Sequence, residues 1–325
     1  MLITALVEQL HQLFPIAGID LLVRNGNERL FEGHPFLNQV LVWNKQEKYK
    51  SLWSLLRQIR ANRYDAVINA QRFAATGFLA AFSGAPIRAG FDKNPWRRFF
   101  THVARHSIEV APDRHPPLHE IDRNQRLIAH WTDAPPPKPR LYPTKAHQEA
   151  VAGYQARPYI TIAPTSVWFT KQYPASRFAE LLRYLTDIRV FLLGAKSDLE
   201  ACEAIARESG HPDIEVLAGK LNFLESVALI QGSRVHIAND SAPLHFASAV
   251  NTPQIAIFCS TVPAFGFYPL SDVSYIVEVE TDLPCRPCGL HGKKACPEGH
   301  FRCAYDISVA HIAALAAKII SEGKA

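Results

Sequence analysis

The chain has 325 residues, of which 48% are hydrophobic and 20% charged, with six cysteines and a net charge of +5. This is the composition of a soluble globular protein long enough for two domains, each with its own core. No apolar run reaches the ~18 residues of a membrane span, and Glu8, Gln9 and His11 interrupt the apolar stretch a signal peptide would need, so the cytoplasm is the expected location.

Along the first part, "ALVEQLHQLF" and "SLWSLLRQIRANR" have apolar residues at helical spacing, and "GIDLLVR" and "VLVWN" read as short strands. "YDAVINA" reads as a buried strand, "GFLAAFSGA" as a helix and "IRAGF" as a strand. Then "DAPPPKPRLYPT" packs five prolines into ten residues; it fits neither a helix nor a central strand and reads as a stiff linker. Beyond it, strands "YITIAP", "RVFLLGA", "EVLAG", "VHIAND" and "PQIAIFCS" alternate with helices "RFAELLRYLT", "DLEACEAIARES", "FLESVALIQGS" and "PLHFASAV", and "VAHIAALAAKIISEG" closes the chain as an amphipathic helix. The pattern predicts two α/β domains with parallel sheets, 1–140 and 141–325, facing a cleft. Residues 1–150 hold 20 Lys/Arg and 13 Asp/Glu, against 15 and 17 in the remainder. A basic first half suits an acidic partner or simply a solvated face.

Three strand ends in the second half carry polar residues. "VHIANDSAPLH" leaves a strand and places Asp240, Ser241, Ala242, Pro243 and His245 at the start of a helix. Ser241 can cap that helix and Pro243 suits its first turn. The unpaired N–H groups and the positive end of the helix dipole would hold an anion. An ordinary capped turn is the plainer reading of these residues alone, and His245 equally reads as a packed core histidine. "IAPTSVWFTKQYP" offers Thr165, Ser166, Thr170 and Lys171, and "FCSTVPAFGFYP" offers Ser260 and Thr261. Hydroxyls can donate to a diphosphate while an ammonium neutralises its charge. In a parallel sheet these ends share one edge. Neither GxGxxG nor GxxxxGK[ST] occurs, so the usual dinucleotide and P-loop readings lack support.

The order "APTS", "TKQYPASRFAELL", "LLGA", "LAGKLNFLESVALI", "ANDSAPLHFASAV", "FCSTVPAFGFYP" resembles the ADP-heptose:lipopolysaccharide heptosyltransferases, glycosyltransferase family 9. In the first half, "RYDAVINAQRF", "SGAPIRAGFDK" and "HEIDRNQRLIAH" look like the family's acceptor segments. The resemblance implies a GT-B fold of two Rossmann-like αβα domains. It implies inverting transfer of L-glycero-D-manno-heptose from ADP-heptose to the acidic inner core on lipid A. The acceptor would lie at the inner membrane surface, where the protein would sit in the cytoplasm or peripherally; nucleic acid is not an expected partner.

By motif match, Thr165, Ser166, Lys171, Asp240, Ser241, Ala242, His245 and Thr261 would line the donor diphosphate site. Leu221 and Asn222 would lie against adenine, and Asp198 would reach the ribose. Lys171 and the helix N-terminus would stabilise the departing ADP electrostatically, with no cofactor needed for transfer. Arg72, Lys93, Arg97 and Arg98 are the candidates for the acidic acceptor, Arg being suited to phosphate and carboxylate, while Glu120 reads as structural. The family begins with a strand and a Gly-Asp pair whose Asp is its expected general base; "MLITALVEQL" matches the segment just after that pair. The expectation is an N-terminally truncated first domain with an exposed strand edge and no nameable base.

Cys285, Cys288, Cys296 and Cys303 follow a C-x2-C-x7-C-x6-C spacing, and four thiolates can close a structural zinc site; free thiols are the other reading. Cys202 and Cys259 read as core residues. Two other functions are weighed: a noncatalytic nucleotide-sugar-binding remnant, and a zinc-bearing nucleic-acid-binding protein. The second is disfavoured because the cysteines fall in the acidic half and no alternation of aromatic and basic residues marks an RNA-binding strand.

Overall fold

The computed structural model describes residues 1–108 and 117–323. It divides into two compact units, Met1–Tyr142 and Pro143–Ala325. The first unit runs α1 (Thr4–Leu13), β1 (Asp20–Arg24), β2 (Gln39–Trp43), α2 (Lys48–Ala61), β3 (Ala66–Asn69), α3 (Ala74–Ala81), β4 (Ile87–Phe91), β5 (His102–Ala104) and α4 (Glu120–Gln125). Every pairing is parallel, as alternating strands and helices require. The apolar face of α2, Leu52, Leu55, Leu56 and Ile59, packs with Leu41, Trp43 and Leu79. Its opposite face leaves Lys50, Trp53 and Arg57 exposed.

The sheet of this unit is in two pieces, β1-β2 and β3-β4-β5. Among the described residues, the edges of β1 and β3 turned away from those partners are unpaired. A cavity of about 760 Å3 is lined by Leu6, Val7 and Leu10 of α1, Leu21 of β1, and Ala66 and Ile68 of β3. Ala66 and Ile68 face this cavity and are half-buried, where the sequence predicts a buried strand. The proline-rich segment is not a free spacer: the Arg140 N–H donates to Thr4 Oγ1 (2.9 Å) and the Tyr142 hydroxyl to Glu8 Oε1 (2.8 Å), pinning it to α1.

The second unit runs α5 (Lys145–Val151), β6 (Tyr159–Ala163), α6 (Ala175–Arg183), β7 (Arg189–Leu192), α7 (Leu199–Ser209), β8 (Ile214–Val216), α8 (Phe223–Gln231), β9 (His236–Asn239), α9 (Ala242–Ala249), β10 (Gln254–Phe258), β11 (Ser274–Glu278), α10 (Arg302–Tyr305) and α11 (Val309–Glu322). Its six strands form one parallel sheet, ordered β11-β10-β9-β6-β7-β8. β6, β9 and β10 are buried at every residue, as strands covered on both faces are, so they show no alternation of apolar and polar residues. From β6 the chain steps outward through β7 and β8, then returns to β9 on the other side of β6. The β6/β9 boundary is therefore the topological switch point, outside whose carboxyl ends ligands bind in open α/β sheets.

Arg302–Glu322 is long and apolar enough to cross a membrane by length and composition alone. It is broken between α10 and α11, and Val309, Ile312, Ala316 and Ile319 lie in the core, so it packs as a core helix.

His236, at the start of β9, is wholly buried, with Nδ1 2.9 Å from Thr161 Oγ1 and Nε2 without a partner. Burial pushes its pKa down from 6.5 to about 3. Above pH 6.5 the folded and unfolded chains both hold it neutral; below, the unfolded chain alone takes up the proton until about pH 3. Its contribution to stability is thus expected to fall with decreasing pH, by about 1.4 kcal/mol per pH unit in that window. Urea titrations at successive pH values should show His236→Gln losing this one-proton slope.

Candidate functional site

The register aligns Ala163 of β6 with Ala238 of β9, so both strands end level at the switch point. Buried Asn239 ties the ends together: its Nδ2 donates to the Pro164 carbonyl (2.7 Å) and its Oδ1 accepts from the Tyr173 N–H (2.9 Å). These bonds fix both ends of the loop that carries Thr165, Ser166 and Lys171. Sequence reasoning passed over Asn239 as the last letter of a strand.

Lys171 Nζ lies 2.6 Å from Asp240 Oδ2, with the two side chains 15% and 9% exposed. The Thr261 hydroxyl donates to the same carboxylate oxygen at 2.7 Å. Residues following β6, β9 and β10 thus meet at one carboxylate. A second layer lies beneath: Ser260 Oγ donates to Thr170 Oγ1 (2.9 Å), and Thr170 Oγ1 also accepts from the Lys293 N–H (2.8 Å). Gly292, at φ +78°, closes over them; a Cβ there would stand 2.9 Å from Lys171 Cγ. An ammonium has three donors, so the bond to Asp240 holds Lys171 in place without exhausting it.

Ser241 occupies the N-cap position of α9, yet its hydroxyl makes no capping bond. Its extended backbone (φ −150°, ψ 177°) leads into the helix, and its Oγ is buried without a partner. His245 Nδ1 is also buried and unpartnered. Burial pushes the His245 pKa down to about 3, with the Lys171 charge acting in the same direction. The imidazole is therefore neutral at pH 7. Ala242 is exposed at the helix start. The first turn of α9 thus combines free backbone N–H groups with two unused buried polar atoms, a few residues from Asp240. Buried polar groups are almost always paired, and these two have capacity left to bond a ligand.

Other candidates are already engaged. Asn222 caps α8: its Oδ1 accepts from the Glu225 N–H (2.9 Å), while Glu225 Oε2 accepts from the Asn222 N–H (2.7 Å). The Asn-x-x-Glu spacing was the readable sign of this capping box. Asp198 Oδ2 accepts from the Ala195 N–H (2.8 Å), shaping the turn after β7. Leu221 is half-buried in the loop after β8. That loop approaches the β7 turn so closely that a Cβ on Gly219 (φ +76°) would lie 2.8 Å from Lys196 Cα. All three stand at the same carboxyl edge as Lys171.

In the first unit, Asn94 Nδ2 bonds the Gln71 and Phe73 carbonyls (3.2 and 3.1 Å), stitching the loop of Arg72 to that of Lys93. Arg97 donates to the Asp92 carbonyl (3.0 Å), and Lys93, Arg97 and Arg98 are exposed. Glu120 is held by Arg123 (2.9 Å) and His106 (3.5 Å).

Of the two readings of the cysteine cluster, structural zinc and free thiols, the zinc reading finds no ready-made ligand set in this structure. Among the described residues no group of three or more His, Cys, Asp or Glu is placed to hold a metal ion. Cys285, Cys288, Cys296 and Cys303 are all free; Cys303 is buried and the other three are half-buried. Cys285 Sγ stands 3.9 Å from His300 Nε2. Burial, followed by the charges of the neighbouring thiols, pushes the Cys303 pKa to about 12. Protein contacts staple the loop. Arg286 donates to the carbonyls of Cys259 (2.7 Å), Phe258 (3.2 Å) and Thr261 (2.8 Å), and pairs with Glu278 (2.5 Å). The Cys288 N–H donates to the Ser260 carbonyl (2.9 Å). Nothing local in the sequence marked Arg286.

Residues 52–298 match glycosyltransferase family 9 (heptosyltransferase). Lipopolysaccharide heptosyltransferase 3 of Escherichia coli is 28% identical over 276 residues, covering 80% of each chain. The solved E. coli ADP-heptose lps heptosyltransferase II shares the fold, with a TM-score of 0.76 at 21% identity over 100% of this chain and 96% of that one. The glycosyl transferase family 9 protein of Veillonella parvula gives a TM-score of 0.82 at 21% identity, over 99% and 93%.

Removing Lys171 alone leaves the Asp240 charge largely buried, which typically costs about 3–5 kcal/mol. Lys171→Ala is therefore expected to destabilise the protein by about that much, and adding Asp240→Asn to restore most of it. A double-mutant cycle by urea unfolding measures the coupling.

Proposed function

The chain is a glycosyltransferase and belongs to family 9, the heptosyltransferases, and on that premise we propose that it transfers heptose from ADP-heptose to the lipopolysaccharide inner core with inversion at the anomeric carbon. The E. coli heptosyltransferase II structure carries ADP-heptose in its name, and this chain has a matching chemistry at the switch point. The observation that carries the reading is the pair of unused buried atoms, Ser241 Oγ and His245 Nδ1, at the start of α9 beside the Lys171–Asp240 pair.

In this reading the ADP diphosphate lies over the first turn of α9. Backbone N–H groups, the Ser241 hydroxyl and the spare Lys171 donors bind its oxygens. The bond from the anomeric carbon to the β-phosphate oxygen breaks, and ADP leaves with the electron pair. The acceptor hydroxyl oxygen bonds the same carbon from the opposite face and gives up its proton to a base. Negative charge grows on the departing phosphate oxygen, where Lys171 and the helix N-terminus are already in place, so little reorganisation accompanies the step. Asp240 orients Lys171 and keeps its own charge directed toward Lys171 and Thr261. Neutral His245 adds a polar atom without a charge. Transfer is read as needing no metal cofactor, and a nucleotide-sugar donor places it in the cytoplasm. The acidic acceptor is assigned to Arg72, Lys93, Arg97 and Arg98.

Calorimetry with ADP tests the donor site. Lys171→Ala removes a charge-assisted bond of about 1.5–3 kcal/mol and is expected to weaken ADP at least tenfold. Ser241→Ala is expected to weaken it by a smaller factor, about fivefold for a neutral hydrogen bond of ~1 kcal/mol. A transfer assay with ADP-heptose and heptose-deficient core acceptor should lose turnover in both variants and be unchanged by EDTA. ADP affinity unaltered in both variants would remove the assignment.

A further inference from the structure

The loop between β11 and α10 carries thiols that the donor-site reading does not use. Cys303 is buried, as is Cys259 at the end of β10, but Cys285 and Cys288 are half-buried and reach solvent. These two are spaced C-x2-C, and Cys288 Sγ donates to the Cys285 carbonyl (3.5 Å), which puts its sulfur within a side chain's length of Cys285. Cys285 Sγ in turn stands 3.9 Å from His300 Nε2. His300 Nδ1 accepts from the Arg302 N–H (3.0 Å), so in the neutral ring the proton is on Nε2 and the donor faces sulfur. A solvent-accessible thiol with a donor beside it and a second thiol next to it is the build of an oxidant-sensitive pair.

The pair is wired to the switch point by backbone bonds. The Cys288 N–H donates to the Ser260 carbonyl (2.9 Å), the Ser260 N–H to the Thr170 carbonyl (3.2 Å), and the Thr170 N–H to the Lys293 carbonyl (3.1 Å). Arg286, which clamps the end of β10, lies between the two cysteines. We propose that Cys285 and Cys288 are an oxidisable dithiol, and that closing their disulfide loosens the loop that carries Lys171. The oxidant is a small disulfide of the glutathione class. The Cys285 thiolate attacks one of its sulfurs, breaking that S–S bond and releasing one thiol. Cys288 then attacks the Cys285 sulfur of the mixed disulfide and expels the second thiol. The chain loses two electrons and two protons, and the small disulfide gains them. Closure takes the Cys288 sulfur off the Cys285 carbonyl and draws the two ends of the Cys-Arg-Pro-Cys segment together, which strains the Arg286 clamp and the bond to Ser260. The inference goes beyond the transfer reading, because it needs neither donor nor acceptor.

The test equilibrates the full chain in reduced and oxidised glutathione, maps its disulfides by mass spectrometry, and follows amide exchange in both states. One disulfide is expected, between Cys285 and Cys288, and dithiothreitol is expected to reverse it. Peptides carrying Thr170 and Ser260 are expected to exchange about tenfold faster in the oxidised chain. Cys285→Ser and Cys288→Ser are each expected to abolish that difference, and Cys296→Ser to keep it. Thermal melts of the reduced variants confirm folding, and the mapping on the parent stands without them. No disulfide, a different pairing, exchange unchanged on oxidation, or co-purifying zinc that shields these thiols overturns the proposal. None of these measurements uses ADP, so they succeed or fail separately from the donor assignment.

Discussion

The Lys171–Asp240 ion pair is the interaction around which the second unit is organised at its carboxyl edge. Loops leaving parallel strands have no neighbouring strand to bond and must find partners elsewhere. Here those following β6, β9 and β10 find each other at a single carboxylate, with Thr261 sharing the oxygen that holds Lys171. Asn239 fixes the base of this junction, and Thr170 with Ser260 fixes its floor. A largely buried pair contributes little net stability against an apolar replacement. Its value here is positional: it holds the Lys171 ammonium in one orientation where the loops after β6, β9 and β10 meet.

The cysteine-bearing loop extends the same junction. Through Arg286 it grips three carbonyls at the end of β10 and just beyond it, and through Gly292 and Lys293 it rests on Thr170 and Lys171. Four cysteines at short spacing invite a metal reading, yet side-chain and backbone bonds anchor this loop, and its thiols gather without a ready ligand set. The cysteine-bearing loop thus joins the loops after β6, β9 and β10 at the site from more than a hundred residues beyond Lys171, and a substitution in it acts on the ammonium through packing.

Legibility in the sequence followed burial. The strands buried on both faces, β6, β9 and β10, read from short, mostly apolar runs, and the site loops followed because each begins where such a run ends. β5 and β11 escaped: His102–Ala104 is three residues long, and Ser274–Glu278 is only partly buried at the sheet edge, with no strong period to read. The division of the first sheet escaped as well, because a gap between strands depends on what lies beside them in space. Lys171, Asp240, Ser241 and Thr261 were picked out by residue type at strand ends, and the family resemblance agreed with the match to residues 52–298. Asn222 was assigned to adenine although its local spacing with Glu225 spells a helix cap. Arg286 and Asn239 were missed for the opposite reason: their partners lie far along the chain, where no local pattern can point.

The divided sheet also decides where the molecule breathes. β1 and β3 each carry ladder bonds on one side only and border an apolar cavity, so detaching β1-β2 breaks a single ladder of five residues and exposes strands that are partly wet already. β6 and β9 are held on both sides and buried throughout. Opening free energies in a folded chain track such differences. Amide protons in β1 therefore exchange with solvent through small local excursions, while those of β6 wait for the second unit to unfold as a whole. The two units of one enzyme would then keep time on separate clocks, the fast one beside the basic loops and the slow one beneath the first turn of α9.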